Sequence, residues 1–599
     1  MIILPNMKWL FVIFIVSLIF PIHYFLLFNF PQEDKVFVGY PDDALMLTLM
    51  KSSKWNFDDP WSFDGGKVWH NPLIGAVYLF ILLGLIPTAL NINLYLAFVI
   101  FKFLFTFAYY IVAYNLIILF LKKERNIAFA VFMFYAGIGG LLYIFSLLFF
   151  GQTEYLSIIG YAFTNEFNEL AASSHSLTHI FRLYYVIPEI LGYLAIIFFV
   201  KNRKLLAGLS LGLVFLFYPM YGVGFSIVLL LYQLSKNNKI NIIKPIKELA
   251  PTYFTSAFFL LPWLIASSQR AYYYDVSKLF FENLPTISIF IGFFFSLFFA
   301  TYYLSKNRSR LLKKSEFVLF SLLVLAAFTI RQLFEISQRS PIFNSWLELT
   351  KLNSLVLFLQ SFSLQIEIIT LILAFVLVYS ILRKEKNQIN RFLFSWLFVF
   401  LVLSGVEPST FQYLVSTGRL AALLLFPISV IASLGLLRFS KDFKIRPYIV
   451  VFAVILLSIP SLIGYNFWLQ KSVREAGVDA FFTKDEYAAL TFLKTQPYGA
   501  VISSLKFGTA IPYYTDKKSV LFVGRNNEGK LQDAHNDYST FFFADADNET
   551  RLSIIKKYNL TYVVFGKDEK GISNGIFNPE NLTYLKKIYN GSVEIYKVI

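Results

Sequence analysis

The sequence contains no cysteine. Disulfides, thiolate metal sites and thiol nucleophiles are therefore excluded. Charge is scarce as well: 15% of the 599 residues are charged, where a soluble domain carries about a quarter. No glycine-rich phosphate loop, dinucleotide fingerprint, Ser-His-Asp signature or ATPase motif stands out, so nothing reads as an energy-coupling module. There is no internal repeat of about 20–50 residues, and no inverted pair of broken helices like those of many transporters.

What the chain has instead is apolar surface. Hydrophobic residues make up 57% of it and aromatics 19%, with 69 Phe and 37 Tyr, and the mean hydropathy is +0.61. These proportions exclude a disordered chain and argue against a soluble enzyme. Apolar runs of about 20 residues recur along most of the sequence, each long enough to cross a hydrocarbon layer of roughly 30 Å as a helix. The expected fold class is a polytopic α-helical membrane protein.

The net charge of +16 does not point to nucleic acid, because the excess sits in short clusters between apolar runs: Lys122 to Arg125, Lys201 to Lys204, Lys236 to Lys247, Lys306 to Lys314, Arg383 to Arg391 and Arg438 to Arg446. Short basic loops mark the cytoplasmic side. The first run, Trp9 to Phe30, is too long for a typical signal-peptide core and reads as a retained span. With every basic cluster inside, about thirteen spans follow, at 9–30, 93–121, 127–150, 183–200, 249–266, 285–304, 315–330, 363–382, 392–405, 420–437 and 448–467, with two more within 205–234, broken at Tyr218-Pro219. The segment 72–90 reads as a re-entrant or interfacial helix on the outer face, since counting it as a span would put Lys122 and Lys123 outside. This multi-pass topology in the cell membrane has a cytoplasmic N-terminus and an extracytoplasmic C-terminus.

Composition changes near Asn466, dividing the chain into a transmembrane domain, 1–468, and a C-terminal domain, 469–599. In the latter, β-rich stretches (Ala500 to Ser503, Ser519 to Val523, Thr561 to Phe565) alternate with helical patterns (Asp485 to Lys494, Glu549 to Lys557), predicting a small extracytoplasmic α/β domain. Four Asn-x-Ser/Thr sequons, at Asn548, Asn559, Asn581 and Asn590, fit that face.

Chemistry on a membrane substrate belongs in the outer loops, 31–92 and 151–182. The first carries seven acids between Pro31 and His70 (Glu33, Asp34, Asp42, Asp43, Asp58, Asp59 and Asp64) against four lysines. It opens with Gly39-Tyr40-Pro41-Asp42-Asp43-Ala44 and closes with His70-Asn71-Pro72-Leu73. Adjacent carboxylates can supply a general base and a metal or acceptor ligand; the alternative is a solvated acidic loop with a helix starting at Asp43. The second loop holds Glu154, Glu166, Glu169, His175, His179 and Arg182. His175 and His179 would share a helix face, but the zincin pattern needs Glu directly after the first His and Ser176 stands there. Histidines and arginine beside a membrane suit a lipid-linked phosphate better, with an exposed amphipathic helix as the plain alternative. Arg419, a lone basic residue at the outer end of a span, either snorkels to headgroups or binds a phosphate. Lys102, Glu189 and Glu367 lie within or near span ends, where ionisable residues are functional candidates.

Together these features resemble the GT-C superfamily of membrane glycosyltransferases, which includes protein O-mannosyltransferases, aminoarabinose transferases and oligosaccharyltransferases. Asp42 and Asp43 occupy the place of the acidic pair that follows the first span. His70-Asn71-Pro72-Leu73 is similar to the His/Lys-Pro-Pro-Leu stretch that starts a juxtamembrane helix, with Asn71 replacing the first Pro. Arg419 to Pro427 resembles the Arg-Phe-Leu…Pro segment of a late span. Phe507 to Asp516 and Lys556 to Phe565 look like terminal segments of uncharacterised prokaryotic members. The Trp-Trp-Asp-Tyr-Gly motif of oligosaccharyltransferases is absent, which disfavours en-bloc transfer to asparagine.

The resemblance implies a polyprenyl-phosphate sugar donor, a glycan, lipid or protein acceptor, and inverting transfer on the extracytoplasmic side. Asp42 would be the base, and Asp43 would orient the acceptor or bind a divalent ion, Mg or Mn. His70, His175, His179, Arg182 and Arg419 would hold the donor phosphate, and Asp64, Glu154, Glu166 and Glu169 are acceptor or metal candidates. The rival readings are a lipid-linked-glycan flippase or transporter, which predicts polar residues lining the middle of the spans rather than the outer loops, and a scaffold protein whose terminal domain binds a partner, which predicts Asp42 and Asp43 far from the basic loop residues.

Overall fold

A computed structural model describes residues 4–29, 35–37, 41–51, 74–121, 125–133, 183–236, 243–260, 388–404, 423–442, 444–449, parts of 451–464, 481–522, 531–543, 545–573 and 575–599. The spans expected at 285–304, 315–330 and 363–382, and most of that at 127–150, lie outside these residues. The described part is mostly helical. Contact patterns divide the chain into two compact units: one of Met1–Ile13, Phe105–Leu260 and Ala271–Trp468, the other of Phe14–Leu104, Leu261–Arg270 and Leu469–Ile599.

In chain order the first elements are α1 (Met7–Asn29), β1 (Lys35–Phe37), α2 (Pro41–Lys51), α3 (Ile74–Ala89), α4 (Leu94–Phe120) and α5 (Arg125–Val131). They are followed by α6 (Leu183–Val200), α7 (Lys204–Phe217), α8 (Pro219–Lys236), α9 (Ile243–Ala257), α10 (Gln388–Ser404) and α11 (Leu425–Asp442). Among the described residues three helices are long and apolar enough to cross a membrane: α4, α6 and Pro447–Gly464. At 1.5 Å per residue, the 27 residues of α4 extend about 40 Å.

The break in the long run 205–234 falls where the sequence puts it. Tyr218 has an extended conformation, φ −151° and ψ 85°, as the residue before proline requires. Pro219 then opens α8, where its missing N–H costs nothing. In this unit α7 packs along α6 and α9. Gly208 lies against Thr252 and Thr255, and Gly212 against the Phe259 ring, so a Cβ at either would collide; small residues let apolar helices approach closely where lipid offers no hydrophobic drive.

The other unit carries the strands. The remaining elements are β2 (Phe481–Thr483), α12 (Lys484–Thr495), β3 (Ala500–Ile502), α13 (Leu505–Thr515), β4 (Lys518–Ser519), α14 (Leu531–Phe542), α15 (Asn548–Tyr558), β5 (Leu560–Phe565), α16 (Lys567–Ile572), β6 (Leu585–Tyr589) and β7 (Glu594–Val598). Five strands form a sheet in the order β4-β3-β5-β7-β6. β3 runs parallel to β4 and β5, and β7 antiparallel to β5 and β6. Ile502, Val520, Phe541, Phe542, Val563 and Tyr596 are buried in its core. Helix ends follow the local chemistry. Thr483 and Glu486 form a reciprocal capping box at the start of α12. Asp547 accepts from the Thr550 N–H at the start of α15, and Asn559 ends that helix in the left-handed region at φ 47°.

Two contacts join the early part of the chain to this C-terminal part. β1 pairs antiparallel with β2, Lys35 opposite Thr483 and Phe37 opposite Phe481. α2 packs on α13 and, on another side, on α3, where Gly84 meets the Met50 backbone so closely that a Cβ would strike its carbonyl.

Candidate active site

The acid pair stands at the start of α2. Pro41 occupies the first helical position, and Asp42 and Asp43 follow in the first turn, where carboxylates complement the helix dipole. Asp43 is not a solvated loop residue: it is 4% exposed. Its Oδ1 accepts from the Lys102 Nζ at 3.0 Å, and Lys102 is itself 3% exposed. Lys102 lies eight residues into α4, about 12 Å along the helix, with its ammonium 4.9 Å from the centre of the Phe98 ring. An ionised pair shut away from water holds only while both partners are present.

That pairing bears on the divalent-cation candidate. Lys102 already neutralises Asp43, so a metal ion bound by this carboxylate would face an ammonium at close range. Among the described residues no group of three or more His, Asp or Glu is arranged to hold a metal ion.

A second basic residue closes the far end of α2. Lys51 forms an ion pair with Asp516 and donates to the Tyr513 carbonyl at 2.6 Å. Tyr513 is buried, and its hydroxyl is pushed well above the ordinary tyrosine range, first by burial and then by the negative charge of Asp43. The C-terminal helix α13 thus places a phenol within electrostatic range of Asp43.

In the other unit, Glu189 of α6 is fully buried. The Tyr193 hydroxyl donates to its Oε1, and that of Tyr109 does so at 3.4 Å.

The placement of the sequence candidates is therefore uneven. Asp42 is fixed by its backbone, one residue and about 100° around the helix axis from Asp43. His70, Asp64, Glu154, Glu166, Glu169, His175, His179, Arg182 and Arg419 lie outside the described residues, as does Glu367. Lys102 was legible as an ionisable residue in an apolar run, though not as the partner of Asp43. Lys51, Tyr513 and Asp516 carried no sequence signal as a group, Lys51 standing 462 positions from Tyr513; only Phe507 to Asp516 stood out, as a segment similar to other terminal domains.

No family model matches the sequence, and no curated protein matches it. Solved structures do align along nearly its whole length. The Archaeoglobus fulgidus oligosaccharyltransferase in complex with Zn and sulfate matches over 98% of this chain and 73% of its own, at 14% identity and a TM-score of 0.49. ArnT from Cupriavidus metallidurans bound to undecaprenyl phosphate matches over 99% and 98%, at 10% identity and 0.44. Arabinofuranosyltransferase AftD from Mycobacteria matches over 100% of this chain and 40% of its own, at 11% and 0.45. At these TM-scores no residue correspondence follows, and function has to be argued from the chain's own groups.

Proposed function

We propose that the chain is an integral-membrane glycosyltransferase that moves a sugar from a polyprenyl-phosphate-linked donor to an acceptor hydroxyl on the extracytoplasmic side, with inversion. The observation that carries this reading is the start of α2, where two acids follow the first apolar helix and the second is buried and neutralised by Lys102. With Asp43 committed to Lys102, the roles of the pair divide. Asp42 is the base and Asp43 holds the helix that presents it.

In the proposed step Asp42 takes the proton of the acceptor hydroxyl. The acceptor oxygen bonds to the anomeric carbon as the bond from that carbon to the phosphate oxygen breaks, and the polyprenyl phosphate leaves with the electron pair. The developing phosphate charge is the largest electrostatic demand of the reaction, and His70, His175, His179, Arg182 and Arg419 are the proposed groups for it. Asp64, Glu154, Glu166 and Glu169 remain the proposed acceptor contacts. Thirteen spans with an inside N-terminus, a transmembrane part to residue 468 and an extracytoplasmic part from 469 complete the proposal, since they put the loops and the C-terminal sheet on one face.

The rival, a lipid-linked-glycan transporter without transfer, finds its support in Glu189, a buried carboxylate within an apolar helix. One assay separates the two. The purified protein in liposomes is given radiolabelled polyprenyl-phosphate sugars and an acceptor mixture, and labelled product is counted. Transfer is expected from the wild type and a loss of about 10²- to 10⁴-fold from Asp42→Asn. Full transfer by a folded Asp42→Asn protein would remove Asp42 from the base role, and movement of label across the bilayer with no product would favour the transporter.

A further inference from the structure

The segment that carries the acid pair is tied to the C-terminal fold on both sides. Upstream, β1 is a strand of a two-stranded sheet whose other strand is β2, with Val36 opposite Phe482; only residues 38–40 separate β1 from α2. Downstream, Lys51 at the last position of α2 reaches the end of α13, pairing with the Asp516 carboxylate and donating to the Tyr513 carbonyl at 2.6 Å. Asp516 caps α13 with φ 63°, in the left-handed region.

The two anchors are parts of one block. Phe482 of β2 is fully buried and meets the Phe507 ring of α13 edge-on at 5.0 Å. Lys506 of α13 lies 4.9 Å over the Phe482 ring and pairs at 2.7 Å with Glu486 of the capping box. The Tyr514 hydroxyl donates to that of Tyr487 on α12 at 2.7 Å. β2, α12 and α13 therefore cannot shift independently, and the stretch 35–51 spans from one edge of this block to another. Lys51 is 11% exposed at its side chain while Asp516 is 53% exposed, so the lysine is held by a carbonyl as well as by a carboxylate and has little freedom to swing out to water.

We infer that the C-terminal fold is a working part of the site rather than an appended module, and that Lys51 is a positioning residue that sets α2, and with it the acid pair, against α13. The inference rests on the transferase reading only for its kinetic consequence; the clamp itself is a statement about α2. Lys51 touches no reacting atom. It acts by fixing the axis and rotation of the helix whose first turn bears Asp42 and Asp43, and small errors in the placement of a base are expensive in rate.

The test uses the full-length protein. Amide hydrogen exchange over 41–51 is followed in the wild type, Lys51→Gln, Asp516→Asn, the double variant and Lys51→Arg, and transfer kinetics are measured on the same samples. Lys51→Gln is expected to speed exchange over 41–51 by about tenfold, with the sheet strands 560–565 and 594–598 unchanged. The double variant should go no further, because both changes open one contact. In kinetics Lys51→Gln should lower kcat by roughly 10- to 100-fold with KM within about twofold, and Lys51→Arg should restore most of it. Unchanged exchange over 41–51 in both single variants overturns the clamp. Faster exchange with an unaltered kcat overturns the positioning role. If the wild type shows no transfer, the transferase reading fails alone, and the exchange result still decides whether the C-terminal fold holds α2.

Discussion

Replacing Asp43 by asparagine leaves the size of the side chain nearly unchanged and removes one charge of a pair that water does not reach. In the native protein the carboxylate and the Lys102 ammonium meet at 3.0 Å with side-chain exposures of 6% and 4%. Breaking such a pair from one side strands the other charge, at a cost of about 3–5 kcal/mol. At about 1.4 kcal/mol per factor of ten, even the lower figure shifts the folded-to-unfolded ratio by roughly two orders of magnitude. Lys102→Met strands the carboxylate instead and should cost a similar amount. The double variant, Asp43→Asn with Lys102→Met, strands nothing, so its loss should be smaller than that of either single change. The assay is thermal unfolding in detergent of the three variants and the wild type, closed as a double-mutant cycle. A coupling of more than about 2 kcal/mol is expected. Additive losses, or an Asp43→Asn change within the ±0.5 kcal/mol typical of surface positions, would refute both the burial of the pair and the role assigned to Asp43.

Three further perturbations test the surrounding structure. Glu569 is buried and accepts from the Ser504 N–H at 2.6 Å and the Gly566 N–H at 2.9 Å; Glu569→Ala leaves both donors unpaired and should cost about 2–4 kcal/mol by thermal unfolding, Glu569→Gln less. Burial also raises the pKa of Glu569. The unfolded chain therefore gives up that proton first, and stability should fall as pH rises from the ordinary glutamate value of about 4.3, a slope absent from Glu569→Gln. Lys517 donates to the Gln496 carbonyl at 2.8 Å, and burial lowers its pKa to about 8. Between that pH and the ordinary lysine value of about 10.4 the unfolded chain keeps a proton that the folded one has lost, so stability should rise with pH over this window in the wild type and not in Lys517→Met. Gly84→Ala drives a Cβ into the Met50 carbonyl; a cost of about 1–3 kcal/mol is expected from chemical unfolding, with faster hydrogen exchange in α2.

How much of this was legible depended on the distance between cause and effect along the chain. The α7–α8 break lies at Pro219 because a proline acts on its own neighbours. The strand at Ala500 and the helices over 484–495 and 548–558 were readable from local patterns, at Ala500 to Ser503, Asp485 to Lys494 and Glu549 to Lys557. The β6–β7 hairpin was missed, although Asn590-Gly591 between two mixed Lys-and-apolar runs is a turn signal that could have found it. The pairing of β1 with β2 had no such signal. Three residues of each strand suffice for it, and nothing local in Lys35-Val36-Phe37 names a partner at Phe481. Lys51 is a stronger case: a lysine among seven acids reads as a solvated countercharge, and only the fold shows it bound to a carbonyl 462 positions away.

The choice of an ion pair to join α2 to α4 has a physical consequence for Asp42. Two apolar side chains of similar volume would hold the helices together without the cost of stripping water from two charges. Apolar contact, however, is non-directional and tolerates rotation of one helix on the other. A carboxylate and an ammonium at 3.0 Å do not: turning α2 by one residue carries Asp43 about 100° around the axis and leaves both charges unpaired where exposure is a few per cent. The pair thus fixes the rotation of α2, just as Lys51 fixes its far end. Because Asp42 is covalently next to Asp43 in the same helical turn, every constraint on Asp43 is inherited by its neighbour. The ion pair therefore orients the first turn of α2, and with it the backbone that carries Asp42, without requiring a salt bridge at Asp42 itself.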